Sequence, residues 1–121
     1  MEKLLERLRI LEQSNTITQK TKEKLLHMIS YLKSTYSIIL NEDNGGRFIT
    51  HTAMAIERIE KGEGFLQCHG IMEEEIRKEE NFTKAQAIAD ALEQNVFKIT
   101  FPLQEKYFII TNLLVLMEDL Q

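Results

Sequence analysis

A single proline, Pro102, in a chain of 121 residues leaves almost every position able to join a helix, with only five glycines to interrupt one. Apolar residues then recur three or four positions apart, the spacing that gathers them on one helical face. Leu4, Leu5, Leu8 and Leu11 predict a short first helix ending near Ser14-Asn15. Ile17, Leu25, Met28, Ile29, Leu32, Tyr36 and Ile39 predict a longer second helix, capped by Thr16 or Thr18. Asn41-Glu42-Asp43-Asn44-Gly45-Gly46 reads as a loop, because these residues tolerate a left-handed backbone. A third helix is expected from about Arg47 to Lys61, ended by Gly62-Glu63-Gly64. Residues 65–80 predict a short, mostly exposed helix with Ile71, Met72 and Ile76 inward. Asn81-Phe82-Thr83 predicts the cap of a helix with Ala85, Ile88, Ala89, Leu92 and Val96 on one face. Pro102 suits the first turn of the last helix, and Glu105 suits that turn's dipole. From Tyr107 to Met117 that helix is apolar almost all round, which predicts the central, most buried element. The expected fold class is all-α: a bundle of about five helices forming one domain over residues 1–121, with no repeat, linker or low-complexity tract.

Charge and cysteine usage narrow the function. A net charge of −4 argues against direct binding of nucleic acid, which needs clustered Lys and Arg. Lys20, Lys22 and Lys24 are broken by Glu23 and read as a solvated helix face. Cys68 is the only cysteine, so no intrachain disulfide can form and a reducing compartment fits. The segment Met-Glu-Lys-Leu-Leu-Glu-Arg lacks the apolar stretch of a signal peptide, and the apolar run 107–117 falls short of the ~20 residues of a membrane span. A cytoplasmic location without a membrane span is expected.

Few residues offer chemistry. His51, Ala55 and Arg58 follow one another at i, i+4 and i+7 along one helical stripe. Ala55 leaves room beside the imidazole, whose free nitrogen can accept a phosphoryl group, and Arg58 presents planar donors to an anion. The plain alternative is a satisfied core histidine. Asn112 is a polar residue inside the most apolar helix, 61 positions beyond His51, and can hydrogen-bond to His51, to a phosphoryl group on it, or simply to backbone. Cys68 and His69 are adjacent, so on a helix they point about 100° apart, and no CxxC or HxxxH spacing supports zinc. No metal or cofactor is expected. His27 reads as a packing or surface residue, and Glu42, Asp43 and Glu73-Glu74-Glu75 as solvated charge without a catalytic partner. Gly45-Gly46 lacks the Lys and Ser or Thr of a phosphate-binding loop and reads as a turn.

Three short motifs carry a resemblance. Phe48-Ile49-Thr50-His51 with Ala55-Ile56 and Arg58, then Asn81-Phe82 with Ala85, Ile88-Ala89 and Leu92, then Phe101-Pro102 with Glu105 and Phe108-Ile109 resemble the PTS regulation domain over about residues 20–118. That helical module is the one through which the sugar phosphotransferase system controls bacterial regulators. The resemblance implies a compact bundle of two antiparallel helix pairs, a homodimer, and phosphorylation at His51 by the histidine carrier protein or a sugar-specific transport component. It puts Asn112 where the family usually has a second histidine, a position that here cannot form phosphohistidine. It also implies a stand-alone, non-enzymatic regulator whose output passes through an unidentified effector protein. Two other classes remain: a helical interaction module that has lost phosphotransfer, and a small metal-binding or enzymatic protein using His51, His69 and Cys68.

Overall fold

The structure, a computed structural model, describes residues 2–62 and 71–118, with the side chains of 71–73 left out. Six α-helices and one π-helical turn make up the described residues, with no strand among them, so the fold is all-α as expected. They divide into two compact units, Met1–Phe65 and Leu66–Gln121. No helix among the described residues is long and apolar enough to cross a membrane.

In the first unit, α1 spans Glu2–Gln13, α2 Gln19–Tyr36 and α3 Glu42–Glu60. Asn15 takes the left-handed conformation after α1, and the N–H groups of Thr16 and Ile17 return to the Leu11 carbonyl at 2.9 and 3.2 Å. Thr18 caps α2, its hydroxyl accepting from the Thr21 N–H at 3.1 Å. Ser37, also left-handed, closes α2, its N–H reaching Lys33 O while Ile38 N–H reaches Leu32 O. Leu4, Leu8, Ile17, Leu25, Met28, Ile29 and Leu32 are buried as their spacing predicts. Ile39 departs from the expectation. It lies beyond α2 and is 57% exposed, while its neighbours Ile38 and Leu40 point inward, the alternation of an extended connector.

The segment 41–46 is a correction. It is the start of α3, not a loop. Asn41 accepts from the Asn44 N–H at 2.9 Å and the Asn44 side chain accepts from the Asn41 N–H at 2.7 Å, a reciprocal cap that begins the helix at Glu42. Gly45 and Gly46 are helical and buried. A Cβ on Gly45 would lie 3.2 Å from Leu40 Cβ, and one on Gly46 3.3 Å from the Arg7 guanidinium, so the two glycines serve close packing. At the far end Lys61 caps α3 and Gly62 turns left-handed at φ +70°.

In the second unit, α4 spans Ile71–Arg77, α5 Phe82–Ala91 and α6 Leu103–Glu118. Ile76 is buried as expected; the side chains of Ile71 and Met72 lie outside the described ones. Asn81 precedes α5 but makes no side-chain cap, a second correction. The α5 face of Ala85, Ile88 and Ala89 continues into a π-helical turn, Leu92–Phe97, which buries Leu92, Val96 and Phe97. Lys98 ends it with φ +55°, and the Phe97 and Phe101 rings meet edge-on, centroids 5.4 Å apart. Pro102 precedes α6 by one residue, its carbonyl accepting the Lys106 N–H at 2.9 Å, so it caps the helix instead of entering its first turn.

Lys106 braces this corner. Its ammonium pairs with Asp90 and, at 2.8 Å, with Glu93, whose other oxygen accepts the Phe101 N–H at 2.8 Å. Burial disfavours the ammonium, but the two carboxylates outweigh it and hold its pKa above the usual lysine range. Helix α6 packs mainly on α5 and buries Tyr107, Ile109, Ile110, Leu113, Leu114 and Leu116. Its apolar surface is not all covered: Val115 stays 56% exposed.

Candidate functional site

Helix α3 places His51, Ala55 and Arg58 on one stripe, as their spacing requires. Phe48, Ile49, Thr52, Ala53 and Ile56 face the core, Ala55 is buried, and His51 and Arg58 stand half-buried at the edge of that face. The imidazole is therefore partly in solvent. The Ala55 methyl lies one turn further along the same stripe. Thr52, next to it, is buried with its hydroxyl unpaired, a polar group within the apolar face.

Two polar clasps hold α3, and neither was singled out from sequence. At its first half, Arg7 of α1 donates from Nε to Glu42 at 3.1 and 3.2 Å, forms an ion pair with it through Nη2, and donates from Nη1 to Thr50 Oγ1 at 3.2 Å. The Glu42 bond raises the Arg7 pKa, and the same bond lowers that of Glu42. The clasp thus ends one residue before His51. At the other end Glu57, only 5% exposed, receives the N-terminus of α2. Its carboxylate accepts from the Thr18 N–H at 3.1 Å, the Thr18 hydroxyl at 3.3 Å and the Thr21 hydroxyl, with Lys61 at 3.7 Å. Burial alone would push the carboxyl up. The hydrogen bonds from Thr21 and Thr18 and the Lys61 charge overcome it and leave Glu57 below the ordinary carboxylate range. One signal for it was in the sequence: a charge four residues after Ala53 and next to Ile56, at a position the apolar face should occupy.

Asn112 belongs to α6 in the second unit and is half-buried; its amide donates to the Phe108 carbonyl at 2.9 Å, one turn back on the same helix. His27 is exposed on α2, edge-on to Tyr31 at 6.3 Å, which fits a surface role. Cys68 and His69 lie outside the described residues, and among those described no three His, Cys, Asp or Glu side chains group to hold a metal.

An all-α chain with a half-exposed histidine on a buried helix, followed by an arginine two turns on, has the form of a helical regulatory domain. The family model of the PRD domain matches residues 26–115, about three quarters of the chain, and the protein belongs to that family, the regulation domains of the sugar phosphotransferase system. No curated protein and no solved structure matches the chain. The family match spans α3, α5 and both residues 51 and 112.

Proposed function

We propose that the protein is a regulatory module that senses phosphotransferase status through phosphorylation of His51. The observation that carries this reading is the half-exposed imidazole on α3, in stripe with Ala55 and Arg58, inside the family match. A lone pair on a ring nitrogen attacks the phosphoryl group of the histidine carrier protein or a sugar-specific component. An N–P bond forms at His51, the N–P bond on the donor breaks, and the ring proton displaced from His51 is made good on the donor imidazole. Arg58, on the same stripe of α3, orients the new group. The modification adds charge of about −1.5 to −2 at a packed helix. Its readout is a change in homodimer or effector binding, in the cytoplasm.

The test is intact-protein mass analysis after incubation with phosphoenolpyruvate, the general phosphotransferase enzyme and the histidine carrier protein, kept alkaline because phosphohistidine is acid-labile. Gain of one phosphoryl group that disappears in His51→Ala and persists in His69→Ala is the expected result. No gain from this donor or from sugar-specific components favours a second reading, an interaction module without phosphotransfer. One feature supports that second reading: the amide of Asn112, at the position the family resemblance gives to a histidine, bonds back to its own helix.

A further inference from the structure

The second unit carries a surface that the phosphorylation reading does not use. Between α4 and α6 lies an open groove of about 220 Å³. Ile76, Leu114 and Val115 form its apolar floor with Thr111, and Glu75, Glu79 and Glu118 its rim. Among the described residues no cation lines it, and none of the three rim carboxylates has a hydrogen bond or ion pair with another of them. A cavity of ~150 Å³ accommodates a benzene ring, so this volume takes one large apolar side chain.

We propose that the groove docks a basic amphipathic helix of a partner protein. One large apolar side chain enters between Ile76 and Val115, and Lys or Arg a turn to either side meets Glu75, Glu79 and Glu118. Charge complementarity selects this occupant. Three carboxylates around an apolar floor repel an acidic segment and reward a cationic one. A second copy fits less well, because the chain's net charge of −4 sets like charge against the acidic rim. Nucleic acid has the wrong sign. The inference does not rest on phosphorylation at His51, and a chain inert to every phosphoryl donor can still pass its test.

The probe is a designed helical peptide with one central Leu and Lys at i−4, i−3, i+3 and i+4, titrated into the full chain while methyl NMR signals are followed. Saturable shifts at Ile76, Leu114 and Val115 with Kd below about 1 mM, weakening as salt rises, are expected. Affinity should fall at least about tenfold for a Leu→Ser peptide, for Val115→Asp and for the double variant Glu79→Lys, Glu118→Lys, the loss of one buried anchor or two charges. Both variant sites are on the surface, and unchanged methyl signals elsewhere show that the fold is kept. Three outcomes overturn the proposal: no saturable shift up to about 1 mM peptide, equal shifts with spermine, or a Val115→Asp chain that loses self-association, which makes a second copy the occupant.

Discussion

In the first unit the acidic side chains close the structure. Glu12 holds Lys22, Glu60 holds Lys24, Glu42 holds Arg7, and Glu57 lies buried under two threonines. In the second unit Asp90 and Glu93 pair with Lys106 and Glu105 lies buried in α6, while Glu75, Glu79 and Glu118 stand around a groove. The difference follows from what each unit has to join. Three helices meet in the first with polar ends turned inward, at Thr18 and beside Gly46, and each end needs a counter-group. The second closes mainly with apolar side chains, Phe97, Phe101, Ile110 and Leu113 among them, which leaves the groove carboxylates Glu75, Glu79 and Glu118 available for other uses. Exposed ion pairs contribute only ~0–1 kcal/mol each, so the contrast rests on Glu57, a buried carboxylate that joins the start of α2 to α3.

The largest effect should come from breaking the apolar unit. Phe97→Ala removes a fully buried ring packed edge-on against Phe101 and should cost about 3–5 kcal/mol. Hydrogen exchange reads it helix by helix: protection should fall first in α5 and α6. Equal loss in α2 and α3 would mean that the two units unfold as one, and the contrast between them would lose its energetic content.

Breaking the polar unit should cost less and carry a pH signature. Glu57→Ala leaves the Thr18 N–H and two hydroxyls without their acceptor, a loss of about 1–3 kcal/mol. Because the folded carboxyl titrates below its unfolded value, its contribution is complete above the unfolded pKa of ~4.3 and is lost as pH falls through the lower folded value. Urea midpoints between pH 7 and pH 3 should therefore converge for Glu57→Gln and the unmodified chain. A difference that persists at the acid end would assign the effect to packing instead of charge.

Sequence reasoning reached the helices because burial demands a period, and Leu4, Leu8, Leu25 and Leu32 obey it without help from distant residues. His51, Ala55 and Arg58 were legible for the same reason, since their register depends only on helix geometry. Both clasps were not, because Glu57 meets Thr18 across 39 positions and Arg7 meets Glu42 across 35. The charge at Glu57 breaks the apolar face locally, but nothing local marks the group it meets. Asn41 to Gly46 misled because the residues that favour turns also favour helix caps; only the reciprocal Asn41–Asn44 bonds decide between them. The π-helical turn at Leu92–Phe97 leaves the apolar spacing nearly intact, so it is invisible to periodicity.

That misread segment supplies the smallest and sharpest prediction. Adding a methyl to a helical glycine gains up to about 1 kcal/mol in propensity, provided the space exists. At Gly45 the new Cβ meets the Cβ of Leu40, a fully buried residue whose backbone would have to shift. At Gly46 it meets the far ends of Arg7 and Glu42, two part-exposed side chains able to yield by a few tenths of an ångström. Gly45→Ala should therefore destabilise by about 1 kcal/mol, and Gly46→Ala should be neutral or stabilising by less than that. Thermal melts of the two single variants measure the difference. If both are stabilising, neither contact constrains the helix and the glycines are not there for close approach. If both are destabilising, the Arg7–Glu42 clasp is as rigid as the core, and the first unit is pinned by its charges as firmly as by its leucines.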